Sequence, residues 1–145
     1  RAGCQFKNLA AQRGKGIWQG RWSLPGGHIE PGERATDAAQ REVREETSVD
    51  ARIECLVDVH DVFLRGTEAS SDTRTGKPEK QELLGHYVIA VYAGFWISGN
   101  PAAADDAVAA RFANLEDLHN FDLTDGAAAL IARADALLHK AISQK

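Results

Sequence analysis

The apolar pattern of the sequence predicts an α/β (α+β) layering, with strands packed against helices in the middle and at the end of the chain. Two observations carry this. Short runs rich in Val, Ile and aromatics recur between Gly- and Pro-bearing turns, and two longer stretches, 35–47 and 125–143, repeat apolar residues at helical spacing. A length of 145 residues suits one domain, residues 1–145, with a core of ordinary size.

Cys4 to Gln12 carries Phe6, Leu9 and Ala10 and then turns polar, which predicts a short first strand. Gly14 to Arg21 holds three glycines and Trp18 and reads as a loop, either a plain connector or one that touches substrate. Trp22 to Leu24 is a short strand, stopped by Pro25 and the pair Gly26-Gly27, which lets backbone approach a ligand closely. Pro31-Gly32 turns the chain into a helix from Ala35 to Thr47, with Ala38, Ala39 and Val43 on its buried face. Arg34 is a poor capping residue for that start. Ile53 to Phe63 is a strand with Cys55, Val57 and Val59 in one alternation, and its His60 and Asp61 read as structural or pocket-lining. The polar run Arg65 to Glu82 lacks periodicity and reads as a long loop: a substrate lid, a subunit contact in a homodimer, or an unstructured segment.

Leu83 to Ile97 is the strongest strand signal, with His86 and Tyr87 near its start. A turn at Ser98 to Pro101 leads to a strand at Val108 to Ala113. Asn114 caps a short helix from Leu115 to His119. Thr124 caps a final helix from Asp125 to Ser143, striped by Ala127, Ile131, Ala134, Leu138 and Ile142.

Composition narrows the function. A net charge of −4 without a basic run argues against general nucleic-acid binding. Were the substrate a polyanion, metal rather than Lys and Arg would have to neutralise it. Two cysteines, Cys4 and Cys55, read as small apolar residues in a reducing compartment. With no apolar run of membrane length and no visible signal peptide, the cytoplasm is the expected location and no membrane partner is expected. The sequence holds no methionine, so it is read as a trimmed chain or one that has lost residues.

The chemistry concentrates between Gly27 and Val49. Glu42, Glu45 and Glu46 stand at i, i+3 and i+4, so a helix puts their carboxylates on one face, where like charges cost roughly 0.2–0.5 kcal/mol per pair. A solvated acidic face is the bland explanation for such a run. A cation is the functional one, and an all-oxygen set suits Mg2+, Mn2+ or Ca2+ better than zinc.

Read from Gly27, the chain gives Gly, five residues, Glu33, seven residues, then Arg41-Glu42-Val43-Arg44-Glu45-Glu46-Thr47-Ser48-Val49. This closely resembles the Nudix box, G-x5-E-x7-R-E-U-x-E-E-x-G-U with U aliphatic, and Trp22 to Gly27 resembles the family's approach to it. Ser48 is the departure, standing where the family has Gly. A left-handed backbone there costs a non-Gly residue roughly 1–2 kcal/mol, so the conformation of Ser48 tests whether the family geometry survives. Gln12-Arg13 likewise resembles the end of the family's early strand.

The resemblance implies a Nudix-like α/β/α sandwich around a mixed sheet. It also implies Mg2+-dependent hydrolysis, with Mn2+ as a substitute, of a pyrophosphate bond in a nucleoside diphosphate linked to another group. Glu42, Glu45 and Glu46 are then the expected ligands, with the Gly26 carbonyl beside them. Glu33 and Arg41 form an orienting pair, and Glu45 or Glu42 is the base. In some family members an acid from a loop near Asp105 and Asp106 joins the site. Base recognition needs a few placed polar and aromatic groups, for which Trp18, His28 and His86 are the candidates. ADP-ribose or a related nucleotide sugar is the favoured substrate. The alternatives are a nucleoside triphosphate pyrophosphatase that clears modified nucleotides and a non-catalytic nucleotide-binding module.

Overall fold

The computed structural model describes residues 8–16, 18–67 and 81–144. Its elements are strand β1 (Asn8–Arg13), strand β2 (Trp22–Ser23), helix α1 (Ala35–Thr47), strands β3 (Asp50–Thr67), β4 (Gln81–Ser98) and β5 (Ala107–Ala113), a 3-10 helix (Leu115–Asn120) and helix α2 (Ala127–Ser143). Strands and helices are layered as the apolar pattern predicts. Two sheets form, one in the order β2-β1-β5 and one a hairpin of β3 and β4. Every strand pairing among the described residues is antiparallel, and the parallel component is the isolated bridge from Trp22 to Leu123.

The box helix has the predicted bounds. Arg34 makes no side-chain capping bond at its start, and Ala38 is buried while Ala39 and Val43 are half-buried. At its end Ser48 adopts φ 59° and ψ 21°, and its N–H donates to Arg44 O at 2.9 Å. The left-handed exit is therefore kept without glycine. Gly99 makes room for it, since a Cβ there would stand 2.3 Å from Ser48 O.

The other elements depart from the sequence reading at their edges. β3 and β4 reach further than expected, so both ends of the polar run at 65–82 belong to strands, and residues 68–80 lie outside those described. Cys55 packs on the buried Val57 as the alternation predicts, but Val59 is 54% exposed. The register shifts between Leu56 and Asp58, and an odd residue in the ladder turns all that follow to the other face. The last helix starts at Ala127, not Asp125. Thr124 lies before the helix, its N–H donating to Trp22 O at 2.8 Å and its carbonyl accepting from Ala127 N–H at 3.1 Å, and Gly126 takes the capping position at φ 82°. Asn114 holds the N-cap position of the short helix as expected, but makes no side-chain capping bond. Its amide donates to the Asp117 carboxylate at 3.1 Å, and a 3-10 turn follows. Cys4 and Phe6 fall outside the described residues.

Two apolar clusters hold the layers together. Val57, Val91 and Ala93 of the hairpin pack on Leu130 and Leu138 of α2, while Ala113 and Leu118 pack on Ile131. Leu24 touches both clusters. The segment leading to the glycine pair is thereby anchored to the core one residue after β2 ends. Ile131 is only 2% exposed, and burying such a side chain contributes about 1.5–3 kcal/mol.

Candidate functional site

The chain leaves Leu24 with Pro25, which ends the strand, and passes Gly26 and Gly27 beneath the acidic face of α1. Gly26 N–H donates to Glu46 Oε2 at 3.1 Å. Gly27 lies so close to the helix that a Cβ would stand 2.4 Å from Glu42 Oε1. A side chain at residue 27 and the observed Glu42 carboxylate exclude one another.

Arg41 is the hub. Its Nε and Nη2 bind both oxygens of Glu33 at 2.9 and 3.0 Å, and Nη2 also donates to His28 O at 3.0 Å. Nη1 donates to Glu42 Oε1 at 2.9 Å and to Glu45 Oε2 at 3.0 Å. The planar five-donor fork of a guanidinium can serve three carboxylates and a carbonyl at once, which an ammonium group cannot do in fixed geometry. It ties the loop at 28–33 to the helix.

The local charges set the protonation preferences. Hydrogen bonds from Arg41 hold the Glu33 carboxyl below the usual range, helped by Glu30 N–H. The hydrogen bonds that Arg41 donates to Glu33 and Glu42 push its guanidinium upward. Burial pushes the Glu46 carboxyl up, and Glu42 and Asp106 add to this while Gly26 N–H and the Arg13 charge oppose it. A carboxylate raised by desolvation and by neighbouring acids gains most from a cation.

A cleft of about 310 Å3 is lined by Gly26, Gly27, His28, Arg41, Glu42 and Glu46 together with Arg13, Lys15, Asp105 and Asp106. The loop carrying Asp105 and Asp106 is fixed by the helix end, because Ala102 N–H donates to Thr47 O at 2.9 Å and Ala104 N–H to Glu46 O at 3.1 Å. Carbonyls left unpaired at the last turn of α1 thus position a second pair of acids at the rim. Asp105 has φ 50°, and Asp106 meets Lys15 Nζ at 2.6 Å.

Of the candidates from sequence, Glu42, Glu46, Gly26, His28, Arg41, Asp105 and Asp106 come together in this cleft. Glu33 stands behind Arg41. Glu45 is half-exposed and borders a neighbouring depression with Gln40, Arg44 and Asp50. Trp18 lies on the adjacent loop with its ring 5.9 Å from the Arg13 guanidinium, outside the cleft lining. His86 is on the hairpin, bonded to Asp61 at 2.6 Å and stacked on Phe63, with no place in the cleft. Sequence reasoning gave no role to Arg13 and Lys15. Two basic residues flanking the first glycine of that loop, in an acidic chain, were the available signal.

Among the described residues no three acidic, His or Cys groups are gathered as a ready metal cage. Arg41 sits between Glu42 and Glu45, and Glu46 turns to Gly26. The donor chemistry nevertheless fits a hard divalent ion: the set is all oxygen, Glu46 is raised by its surroundings, and Gly27, lacking a Cβ, lets the Glu42 carboxylate come in against the glycine pair.

The NUDIX domain model matches residues 4–134. Over 112 residues the chain is 31% identical to an ADP-ribose pyrophosphatase of Methanocaldococcus jannaschii, a match covering 77% of this chain and 57% of that protein. Over 32 residues it is 56% identical to nucleoside triphosphatase NudI of Escherichia fergusonii, covering 22% of this chain and 23% of that protein. The matches thus span well under two thirds of either curated relative. A MutT NUDIX hydrolase from Burkholderia pseudomallei superposes with a TM-score of 0.65 at 25% identity, over 92% of this chain and 89% of that one. With the family model covering most of its length and the box carried on α1 beneath a glycine pair, the chain belongs to the Nudix hydrolase family.

Proposed function

We propose that this protein hydrolyses the pyrophosphate bond of a nucleoside diphosphate linked to another group, in a reaction that depends on Mg2+ and accepts Mn2+. The observation that carries the reading is the Arg41 hub, which ties Glu33, Glu42 and Glu45 together beside the cleft where Glu42 and Glu46 meet the glycine pair. ADP-ribose or a related nucleotide sugar is the favoured substrate. The match to the archaeal ADP-ribose pyrophosphatase supports this because it runs well beyond the box. The match to the nucleoside triphosphatase covers 32 residues, too few to favour a triphosphate substrate.

Glu42, Glu45, Glu46 and the Gly26 carbonyl would hold the metal. Once bound, a divalent ion supplies charge to the phosphate oxygens and acidifies water. Arg41 keeps the carboxylates of α1 in register and, through His28 O, holds the loop that closes the cleft. Glu33 keeps Arg41 charged and oriented. Glu45, with half its side chain open to solvent, takes the proton of the attacking water at its carboxylate, and Glu42 is the other candidate for this base. Asp105 and Asp106 add acid at the opposite rim. His28 lines the cleft where a substrate group would lie.

We place the protein in the cytoplasm. No helix among the described residues is long and apolar enough to cross a membrane. Exposed apolar residues on β3 and β4 are compatible with a homodimer.

A substrate panel with Mg2+ tests the reading. ADP-ribose is expected to give AMP and ribose 5-phosphate. Monophosphate and pyrophosphate from modified dNTPs alone would replace the favoured substrate, and nucleotide binding without any product would favour the non-catalytic module.

A further inference from the structure

The β3–β4 hairpin has two faces, and α2 covers one of them. From Asp58 to Leu64 on β3 and from Gly85 to Val91 on β4 the register is unbroken, so side chains alternate strictly between the faces. Val91 shares an apolar cluster with Leu130 and Leu138 of α2, and Asp58 opposite it accepts from Arg133 Nη1 at 2.8 Å. These two mark the α2 side. Val59, Asp61 and Phe63, with Ala90, Val88 and His86 opposite them, therefore face away from α2. The stacking of His86 on Phe63 and its bond to Asp61 agree with this. The register shift after Leu64 is taken up by Leu84, so Arg65 and its partner Leu83 continue the same face outward. Val59, Phe63, Leu83 and Val88 are all more than half exposed.

A contiguous apolar face of this kind marks a contact surface, and the order of its residues says what fits it. Asp61 and Arg65 stand two places before and two places after Phe63, with opposite charges. A two-fold axis that lies between two such sheets and crosses the strands at Phe63 sets residue 65 of each β3 over residue 61 of the other, so acid meets base twice. On β4 the same rotation sets Leu83, level with Arg65, over Val88, level with Asp61. Phe63 meets its own copy at the centre, where aromatic anchors carry most of the binding energy of an interface. A second copy carries this complement by symmetry, whereas an unrelated partner would have to reproduce its spacing.

We propose that this face is a two-fold interface between two copies of the chain, centred on Phe63, with Asp61 bound to Arg65 of the partner subunit and Val88 packed on Leu83 of the partner subunit. This rests on the homodimer reading above and names its surface and symmetry. A stable interface buries about 800 Å2 per partner, and four large apolar side chains among three polar ones belong to the lower end of that class. The dimer is therefore reversible, with a Kd on the order of 10 µM, and the dilute chain is monomeric.

The test is sedimentation equilibrium of the full chain, in which wild type is expected to pass from monomer to dimer between about 1 and 100 µM. Arg65→Asp gathers four acids about the axis and is expected to raise Kd at least about 10-fold, as is Asp61→Arg, which gathers four bases. The exchange of both residues in one chain remakes the reciprocal pairs and should restore Kd to within about threefold of wild type. Val88→Asp is expected to raise Kd at least about 100-fold, while Tyr87→Asp, as open but on the α2 side of the same strand, leaves it unchanged. All these side chains are exposed, so the variants keep the fold, and their melting curves check it. A wild-type chain that stays monomeric overturns the proposal together with the homodimer reading. A dimer indifferent to Arg65→Asp and Val88→Asp, or split equally by Tyr87→Asp, leaves the homodimer reading standing and overturns this surface. Failure of the exchange to restore Kd overturns the axis at Phe63.

Discussion

The cleft at α1 and the outer half of the β3–β4 hairpin are built in opposite ways. At the cleft, a single guanidinium 24% exposed holds three carboxylates and a carbonyl, and the loops on both sides are bonded to the same helix. On the hairpin, Phe63, Leu84, Tyr87 and Val88 are all about half or more exposed, and the polar contact beside them is the exposed pair of His86 and Asp61. One region is determined by side chains that constrain one another, the other chiefly by backbone pairing, with His86 on Asp61 and Phe63 as its side-chain contacts. A two-stranded ribbon gains little stability by itself. The hairpin is firm where α2 covers Val57, Val91 and Ala93, and function is placed at the constrained end.

The largest expected effect lies in the cleft. Glu45→Gln keeps the shape of the side chain and removes its charge and basicity, and should cost about 10²–10⁴ in Mg2+-dependent turnover with the melting temperature nearly unchanged. Activity near wild type would remove Glu45 from the mechanism. Next comes a pair that measures the contrast between regions. Ile131→Ala, in the cluster under the cleft, should destabilise by about 2–5 kcal/mol in denaturant titration, whereas Val88→Thr, 64% exposed, should stay within about 0.5 kcal/mol. A large loss at Val88 would show that the hairpin face is covered in solution, as a homodimer would cover it. Third, Gly27→Ala must displace the Glu42 carboxylate, since the new methyl would occupy its position. Because Glu42 can swing away, the fold should survive while kcat falls about tenfold, a rise of about 1.4 kcal/mol in the barrier. Unchanged kcat would mean that Glu42 works from another rotamer.

The same contrast decides what was legible in the sequence. The box was legible because its chemistry is periodic: spacing alone brings Glu42 and Glu46 to the cleft, with Glu45 at the depression beside it, Glu33 meets Arg41 as the motif implies, and α1 has the predicted bounds. Ser48 could be framed as a test beforehand, and its left-handed backbone keeps the exit the family makes with Gly. The hairpin was less legible. A shift between Leu56 and Asp58 leaves no mark in residue types, so Val59 was assigned to the wrong face. Thr124 and Asn114 looked like helix caps because their residue types favour it, but the last helix begins three residues after Thr124, and Asn114, at the N-cap position, turns its amide to Asp117 and makes no capping bond. His86 and Arg13 show the limit for sites. Membership of a cleft depends on which loops return to α1: the basic pair around Gly14 was a faint sign for Arg13, and no local pattern kept His86 out.

The smallest expected effect lies where the two regions join. Asp50 opens β3, just after the exit of α1, and its carboxylate accepts from Arg44 Nε at 2.6 Å and from Ser98 Oγ at 2.9 Å, so one side chain links the box helix to both ends of the hairpin base. The Arg44 hydrogen bond, and after it the Ser98 hydroxyl, hold this carboxyl below its usual range. A carboxyl depressed in the folded state stabilises the fold above its unfolded value, and that stability is lost as pH falls through the folded value. The window therefore lies on the acid side of the ordinary Asp range, below about pH 4. Asp50→Asn removes the titration while keeping an acceptor for Ser98. Its melting temperature should be slightly below wild type at pH 7 and should fall less steeply on acidification. Parallel curves for the two proteins would show that the junction is held by backbone pairing, extending the rule of the hairpin up to the last turn of the box helix.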